Sequence, residues 1–263
     1  MKNLLLIIVF GFQMICCAQV KTLNLDEDSK IAFNADYFAG FDGFKNYYFV
    51  RNNILIKYFE GQTKEYQNLS LGKLTKVDIT NPLKIVLFYE NFNTVQLLDN
   101  QLNEIQKVDF NQIENPILTK CAGLSGQNKI WTLDTNSQQI GLYDLNSNTY
   151  KTLGNPLTNP VVLYYTDFNN FYWIDSKNNW FTTTIYGNTT SLGKAENMNA
   201  LQVISNNNIL YSNEMQLFVK NRISQNIITL EIVEKSFLNF YHKDQILSIF
   251  TNKGITNYKI LIP

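Results

Sequence analysis

A unit of about forty residues recurs along the chain, and it limits the possible folds more than any other feature of the sequence. Each copy contains a strand rich in aromatic and aliphatic residues, a polar turn and a second alternating strand. Segments rich in Ile, Val, Tyr, Phe and Thr and broken by Asn, Asp and Gly are typical of strands and turns. The copies begin at Asn46, Lys84, Lys129, Asn170, Asn208 and Gln245.

These six units predict an all-β protein with the fold of a six-bladed β-propeller. An innermost strand precedes each hairpin and an outer strand follows it, but the last unit ends without an outer strand. Residues 20–25 form a strand without a hairpin near the other end of the chain. Because unjoined blades would expose unpaired strand edges, we predict that residues 20–25 complete the last blade and close the ring. The acidic residues 26–28 are predicted to form a charged turn.

The first residues have the features of a signal peptide. Lys2 supplies a positive charge, residues 4–12 are almost entirely apolar, and residues 16–18 offer small side chains for cleavage before Gln19. The apolar stretch is too short to cross a hydrocarbon core of about 30 Å. We therefore predict that residues 1–18 are removed and that the protein is exported to the periplasm without a membrane span.

The exported part, residues 19–263, is predicted to be a single propeller domain. Lipid attachment to Cys17 is the alternative, although the residues before it match a lipobox poorly. A third possibility is that residues 1–18 stay uncleaved as an anchor. Lys and Arg together number 22, as do Asp and Glu, so no clustered positive charge indicates a nucleic-acid partner.

The sequence contains no recognisable catalytic, cofactor or metal motif, and we predict a non-enzymatic protein without a cofactor or bound metal. The single histidine, His242, is predicted to lie in a solvated turn, and Cys121 to be a buried, inert thiol. Asp134 and Asp175 occupy equivalent hairpin positions. Paired carboxylates can hydrolyse glycosides, but Asp residues in repeated turns more often accept hydrogen bonds from backbone N–H groups.

Four prolines follow an asparagine, and each Asn-Pro pair is predicted to lie shortly before an innermost strand. A proline there ends one strand's pairing before the next begins, because it lacks an N–H group. The same loops would form a rigid contact surface on the ring face where blade-to-blade connections emerge. The candidate partner-binding residues are Asn81, Pro82, Asn115, Pro116, Asn159 and Pro160. Trp131, Trp173 and Trp180 are predicted to pack between blades.

Residues 76–105, KVDITNPLKIVLFYENFNTVQLLDNQLNEI, resemble a segment of a family of exported propellers from bacteria that use the type 9 secretion system. The Cys-Ala-Gln at residues 17–19 is similar to the end of their signal peptides. The resemblance implies a periplasmic propeller that binds a membrane protein complex and plugs the periplasmic end of the type 9 translocation channel. It carries over no catalytic residue.

Two other functions stay open at this stage. A carbohydrate- or peptide-binding module would present several aromatic residues towards the ring centre. A propeller hydrolase or lyase would need two carboxylates that converge on one pocket.

Overall fold

A computed structural model describes residues 21–126, 128–195, 198–205 and 207–262. Within these ranges the chain forms six small sheets whose innermost strands contact one another around a ring. The predicted six-bladed β-propeller is confirmed. The predicted signal peptide, Cys17 and Gln19 lie outside the described residues, so export and lipid attachment stay predictions.

The strands are numbered in chain order, and each blade is numbered by its position after the N-terminal segment. The N-terminal segment contains β1 (Lys21–Asn24) and β2 (Asp26–Ile31). Blade 1 has β3 (Tyr37–Phe41), β4 (Tyr47–Arg51), β5 (Ile54–Phe59) and β6 (Gln62–Tyr66). Blade 2 has β7 (Lys76–Asp78), β8 (Ile85–Tyr89), a 3-10 turn (Glu90–Phe92), β9 (Thr94–Leu98) and β10 (Glu104–Asp109). Blade 3 has β11 (Thr119–Ser125), β12 (Lys129–Asp134), β13 (Gln139–Asp144) and β14 (Thr149–Leu153).

The remaining blades repeat the same order of strands. Blade 4 has β15 (Val161–Thr166), β16 (Asn170–Asp175), β17 (Asn179–Thr184) and β18 (Thr189–Lys194). Blade 5 has β19 (Ala200–Val203), β20 (Asn208–Asn213), β21 (Gln216–Asn221) and β22 (Ile227–Glu231). Blade 6 has β23 (Asn239–Lys243), β24 (Ile246–Thr251) and β25 (Gly254–Lys259).

The N-terminal segment closes the ring, but not with the predicted residues. β2 pairs antiparallel with β25 and is the outer strand of blade 6, whereas β1 pairs in parallel with β22 and is a fifth strand of blade 5. The prediction that residues 20–25 complete the last blade is therefore wrong by one strand. The prediction of a charged turn at residues 26–28 is also wrong, because they begin β2.

Side-chain chemistry explains this arrangement. Leu23 and Leu25 pack against the core cluster shared by blades 5 and 6, so the apolar part of the segment lies where two blades meet. The polar β2 lies on the outer edge, where Asp28 forms a 2.8 Å ion pair with Lys259 and Ser29 accepts a hydrogen bond from Asn257. An outer strand is exposed and needs no alternating apolar residues, which is why the sequence pattern did not identify it.

The two ring faces carry different loops, because the four successive strands from the innermost to the outer strand of each blade are antiparallel and the chain enters each innermost strand from the same side. We call one side the connection face; it carries the segments that lead into the next blade, such as residues 110–118 and 154–160. The other side, the hairpin face, carries the loops that leave each innermost strand, such as residues 42–46, 79–84 and 167–169.

Asparagine side chains on the connection face join blade 1 to blade 2 and blade 2 to blade 3 in the same way. Asn53 donates to Gly72 O at 2.5 Å and accepts from Leu74 N at 2.5 Å. Asn93 repeats this pattern with Ile117 O at 2.6 Å and Thr119 N at 2.8 Å. Both asparagines have a positive φ, which Asn tolerates better than most residues. Each turn is thereby fixed to the segment that enters the next blade.

The three tryptophans are buried between blades, as predicted. Trp131 of blade 3 has no exposed surface, packs edge-on against Phe171 of blade 4 and donates from Nε1 to Asp167 O at 2.9 Å. Trp180 lies in a cluster with Leu201 and other residues of blade 5. These rings therefore fill the spaces between neighbouring sheets.

Replacing Trp131 with alanine should lower the free energy of unfolding by about 3–5 kcal/mol, because it leaves a cavity between two blades. The measurement is urea denaturation followed by fluorescence and circular dichroism. Tyr186→Ala is the matched control, because Tyr186 is 81% exposed and its loss should change stability by less than about 0.5 kcal/mol. Equal effects of the two substitutions would contradict the packing described.

Two truncations test the closure by β2. The reference protein contains residues 19–263. A truncated protein that starts at residue 26 lacks β1, Leu23 and Leu25, and its melting temperature should be moderately lower. A protein that starts at residue 32 also lacks β2, which exposes the edge of β25. Its melting temperature should decrease much more, and it should aggregate. Differential scanning calorimetry would compare the two. If both truncations melt at the same temperature, β2 does not close the ring.

Candidate functional site

Two of the predicted Asn-Pro candidates lie on the connection face before an innermost strand, as the sequence indicated. Asn115 and Pro116 precede β11 and are both exposed. Asn159 and Pro160 precede β15, and Asn159 Nδ2 donates to Asp175 Oδ2 at 2.9 Å. Asn159 thus stabilises a turn of its own blade. A role of these residues in partner binding stays a prediction.

Asn81 and Pro82 lie elsewhere. They follow β7 and belong to the hairpin face, so the prediction that they precede an innermost strand is wrong. The cause is the short length of β7, which ends at Asp78 before the Asn-Pro pair begins. Asn81 fixes the loop by accepting hydrogen bonds from Leu83 N at its side chain and Lys84 N at its carbonyl.

Pro82 contributes to a small cleft on the hairpin face. The cleft has a volume of about 170 Å³ and lies between the loops that leave β3 and β7, where it is lined by Phe44, Pro82 and Leu83. Phe44 is 74% exposed and Leu83 61% exposed, so two large apolar side chains face solvent at one place. We call this site the Phe44 cleft.

The loop that carries Phe44 is held rigidly. Asp42 is buried, and its carboxylate accepts hydrogen bonds from Phe44 N at 2.8 Å, Asn46 N at 3.0 Å and Tyr48 Oη at 2.9 Å. These donors compensate the burial of the carboxylate and fix the loop around it. Phe44 is therefore displayed by an ordered loop.

One lysine lines the Phe44 cleft, and two others are adjacent in sequence to its apolar residues. Lys57 lines it and donates to Asn100 O at 2.7 Å. Lys45 and Lys84 directly follow the two exposed apolar residues, and the Lys84 ammonium donates to Asn128 Oδ1 in the corresponding loop of blade 3. The lining thus combines exposed apolar side chains with one lysine and the carboxylate of Asp42.

The second site is a cavity of about 220 Å³ at the ring centre, bounded by the innermost strands of blades 1, 2, 4, 5 and 6. Several aromatic residues face inward, as the carbohydrate- or peptide-binding hypothesis requires. Its aromatic and charged lining residues include Tyr37, Lys76, Asp78, Tyr164, Tyr165 and Tyr241.

Asp78 is the one carboxylate among the described lining residues of this central cavity. Its Oδ2 accepts from Leu124 N at 2.7 Å and its Oδ1 from Thr80 N at 2.8 Å. The convergent carboxylate pair that a hydrolase would need is therefore missing from the described lining. The predicted absence of enzymatic activity stays a prediction.

Lys76 has an unusual position in the same cavity. Its Nζ lies 3.7 Å from the centre of the Tyr164 ring. Burial lowers the pKa of Lys76, and the nearby carboxylate of Asp78 partly opposes that shift. The sequence analysis did not identify this residue. The available signal was a Lys-x-Asp pattern within a short innermost strand, where apolar residues are expected.

Asp134 and Asp175 accept hydrogen bonds in turns, as predicted. Asp134 accepts from Leu118 N at 3.0 Å and Asn136 N at 3.1 Å. Asp175 accepts from Lys177 N at 2.9 Å and from the backbone N and side-chain Nδ2 of Asn179 at 2.8 Å each. Burial opposes ionisation of both carboxyl groups, but these and neighbouring hydrogen bonds hold each pKa below its usual value.

His242 is not the solvated turn residue that the sequence predicted. It lies within β23 and is half-buried, and burial lowers its pKa. Its backbone N and O bond to the side-chain amide of Gln202 at 2.8 and 2.6 Å, which links the innermost strands of blades 5 and 6. Cys121 is buried, as predicted, and burial raises the pKa of its thiol to about 12.

Two features are absent from the described ranges. No three side chains of His, Cys, Asp or Glu within them lie close enough together to hold a metal ion. No helix in the same ranges has the length and apolar character needed to cross a bilayer.

The comparisons with known proteins identify the fold. No protein-family model and no curated protein matches the chain. Among similar solved structures, the β-propeller domain of Cps50 (Swd1) from Myceliophteria thermophila is 9% identical, with coverage of 89% of this chain and 99% of that one and a TM-score of 0.60. Virginiamycin B lyase from Staphylococcus aureus is 12% identical, with coverage of 84% and 79% and a TM-score of 0.59.

BamB from Moraxella catarrhalis is also 12% identical, with coverage of 90% of this chain and 100% of that one and a TM-score of 0.54. Identities this low show a shared propeller fold and do not transfer a function. The site must therefore be judged from its own residues.

The Asp turns predict a decrease in stability in acid. Because the pKa of Asp175 is lower in the folded chain than in the unfolded chain, its contribution is complete above the unfolded pKa of about 3.9. It is lost as the pH falls through the folded pKa. Melting temperature measured between pH 7 and pH 2 should therefore decrease steeply below about pH 4.

Asp175→Asn is the matched variant, because it keeps the shape and removes the charge. It should destabilise the protein by about 1–3 kcal/mol at pH 7, since an amide group would face the donors of the turn. The melting temperature of this variant should also decrease less steeply in acid than that of the wild type. A variant with the same pH profile as the wild type would contradict the assigned role.

Proposed function

We propose that this chain is an exported, non-enzymatic propeller that binds a protein partner, and that the Phe44 cleft is part of the contact surface. The observation that carries the proposal is the pair of exposed apolar side chains, Phe44 and Leu83, on ordered neighbouring loops. Large apolar residues at the centre of a polar surface are typical of protein-protein interfaces.

Preorganisation supports the same role. Asp42 fixes one loop of the cleft, and Asp78 and Asn81 fix the other through hydrogen bonds to backbone N–H groups. A partner that binds here does not have to order these loops, so little of the interaction energy is lost to conformational entropy. A rigid surface of this kind suits a propeller that acts by shape rather than by movement.

The lining of the cleft defines the chemistry of the partner. Lys57 and the hydrogen-bonded carboxylate of Asp42 are the charged groups that line the cleft within the described residues, so the lining has little net charge. Apolar side chains of a partner complement the exposed Phe44 and Leu83. The proposed contact is therefore an apolar loop of the partner protein.

The resemblance of residues 76–105 to exported propellers of type 9 secretion bacteria supports a more specific proposal. The partner is then a membrane protein complex of the outer membrane, and the propeller covers the periplasmic end of the type 9 translocation channel. Pro82 and Leu83 of the cleft lie within the same segment. A stiff ring with two loop faces is suited to covering an opening.

Native co-purification with the tagged protein tests both levels of the proposal. We expect the outer-membrane channel to be recovered with the wild type and lost with the variant Phe44→Ser/Leu83→Ser, because each apolar contact contributes about 1–2 kcal/mol to binding. Leu69→Ser is the matched control. Leu69 is 84% exposed on the segment that enters blade 2 from the connection face, so this variant should retain the partner.

The outcomes are distinct. Recovery of the channel by all three proteins would refute the role of the Phe44 cleft. Recovery of a different protein complex that depends on Phe44 and Leu83 would support the contact surface and refute the type 9 channel as the partner. Failure to recover any protein partner would refute the proposed function.

A further inference from the structure

We propose that the central cavity binds a small monocarboxylate, with the Lys76 ammonium as the charged contact and tyrosine hydroxyls as additional donors. This site lies in the ring centre and is separate from the Phe44 cleft. The proposal does not depend on the identity of a protein partner.

Among the described residues, the Lys76 ammonium contacts an aromatic ring and not a carboxylate. It lies over the Tyr164 ring at 3.7 Å, and within the described part of the chain no carboxylate lies at ion-pair distance from it. A cation–π contact engages one side of an ammonium and uses none of its three N–H donors in a hydrogen bond. Because an ammonium inside a protein is costly unless it is paired, an anion in the cavity would stabilise it.

The platform under Lys76 is rigid. The Tyr164 ring is parallel to Phe171, with centroids 5.6 Å apart, and its hydroxyl lies 3.2 Å from Ala122 N and 3.3 Å from Ala122 O. The Tyr164 side chain thereby links blade 4 to the innermost strand of blade 3. Lys76 is held at a defined place, as a selective binding site requires.

Asp78 does not form an ion pair with the Lys76 ammonium. It lies two residues after Lys76 on β7, so both side chains leave the strand on the same side. Its two oxygens are engaged by Leu124 N and Thr80 N. Asp78 therefore balances the charge of the cavity at a distance without pairing directly with the ammonium.

Tyrosine hydroxyls supply further donors. An unperturbed tyrosine hydroxyl has a pKa of about 10, and burial raises the pKa of Tyr241 further, so the Tyr37 and Tyr241 hydroxyls stay protonated at neutral pH. Tyr37 is 42% exposed and lines both the central cavity and a neighbouring cavity of about 590 Å³ at the connection face. Lys76 lines that second cavity as well.

The charges define the class of ligand. Lys76 is the one cation among the described lining residues and can pair with a single negative charge, so a dianion such as phosphate would keep a second charge near Asp78 without a cation to compensate it. A monocarboxylate brings one negative charge and two acceptor oxygens, which match the ammonium and the hydroxyls. A cavity of about 220 Å³ limits the ligand to a small molecule or the end of a chain.

Isothermal titration calorimetry of the exported chain with matched probes tests the proposal. Glucuronate and trialanine supply a carboxylate on a sugar and at a peptide end; glucose and trialanine amide are their uncharged counterparts, and inorganic phosphate is the dianion. At least one carboxylate should bind at least tenfold more tightly than its uncharged counterpart and than phosphate. Which carboxylate binds identifies the source of the ligand.

Lys76→Met should weaken binding of that carboxylate at least tenfold. Lys151→Met is the matched control, because Lys151 is exposed on the outer strand β14 and should bind like the wild type. If Lys76→Met does not fold, Tyr37→Phe removes one hydroxyl of a partly exposed residue and should weaken binding several-fold.

Any of three results would overturn the site. The first is that neither carboxylate binds at about 10 mM, which corresponds to less than about 3 kcal/mol of binding free energy. The second is that the uncharged probes bind as tightly as the carboxylates. The third is that Lys76→Met and Tyr37→Phe bind the carboxylate as tightly as the wild type. Co-purification of the protein partner should be unchanged in Lys76→Met, so failure of the ligand site and failure of the proposed function are distinguishable.

Discussion

Burial of both faces of each sheet is the constraint on which this structure depends. A four-stranded blade is too small to be stable alone, and its apolar side chains become buried only when a blade packs on either side. The core clusters accordingly lie between blades, as in the group that joins Leu55 of blade 1 to Val77 and Leu87 of blade 2. A ring satisfies this requirement for every blade only if it closes, which gives the N-terminal segment its importance.

The closing segment connects blades as well as strands. β1 pairs with blade 5 and β2 with blade 6, and Leu23 packs into the cluster between them. Asn53 and Asn93 join earlier blades through hydrogen bonds to the segments that enter the next blade, and Gln202 joins the last two through the backbone of His242. Polar bridges between successive blades set the positions of the innermost strands, and these strands form the walls of the central cavity.

The sequence predicted the parts of the fold that depend on local pattern. The hairpins, the number of blades and the buried tryptophans follow from alternating strands and turn residues within each unit. The pairing partner of β2 could not be predicted, because Asp26–Ile31 is polar and its place depends on contacts with Lys259 and Asn257 at the other end of the chain. The contact between Lys76 and Tyr164 spans blades 2 and 4, and no local pattern specifies it.

The short β7 strand brings the two candidate sites together. Lys76 and Asp78 line the central cavity, and the same segment continues through Thr80 to Pro82 and Leu83 in the Phe44 cleft. The hydrogen bonds from Thr80 N to Asp78 and from Leu83 N to Asn81 make this segment a continuous rigid connection. The proposed protein-binding face and the proposed anion-binding cavity therefore share one structural element.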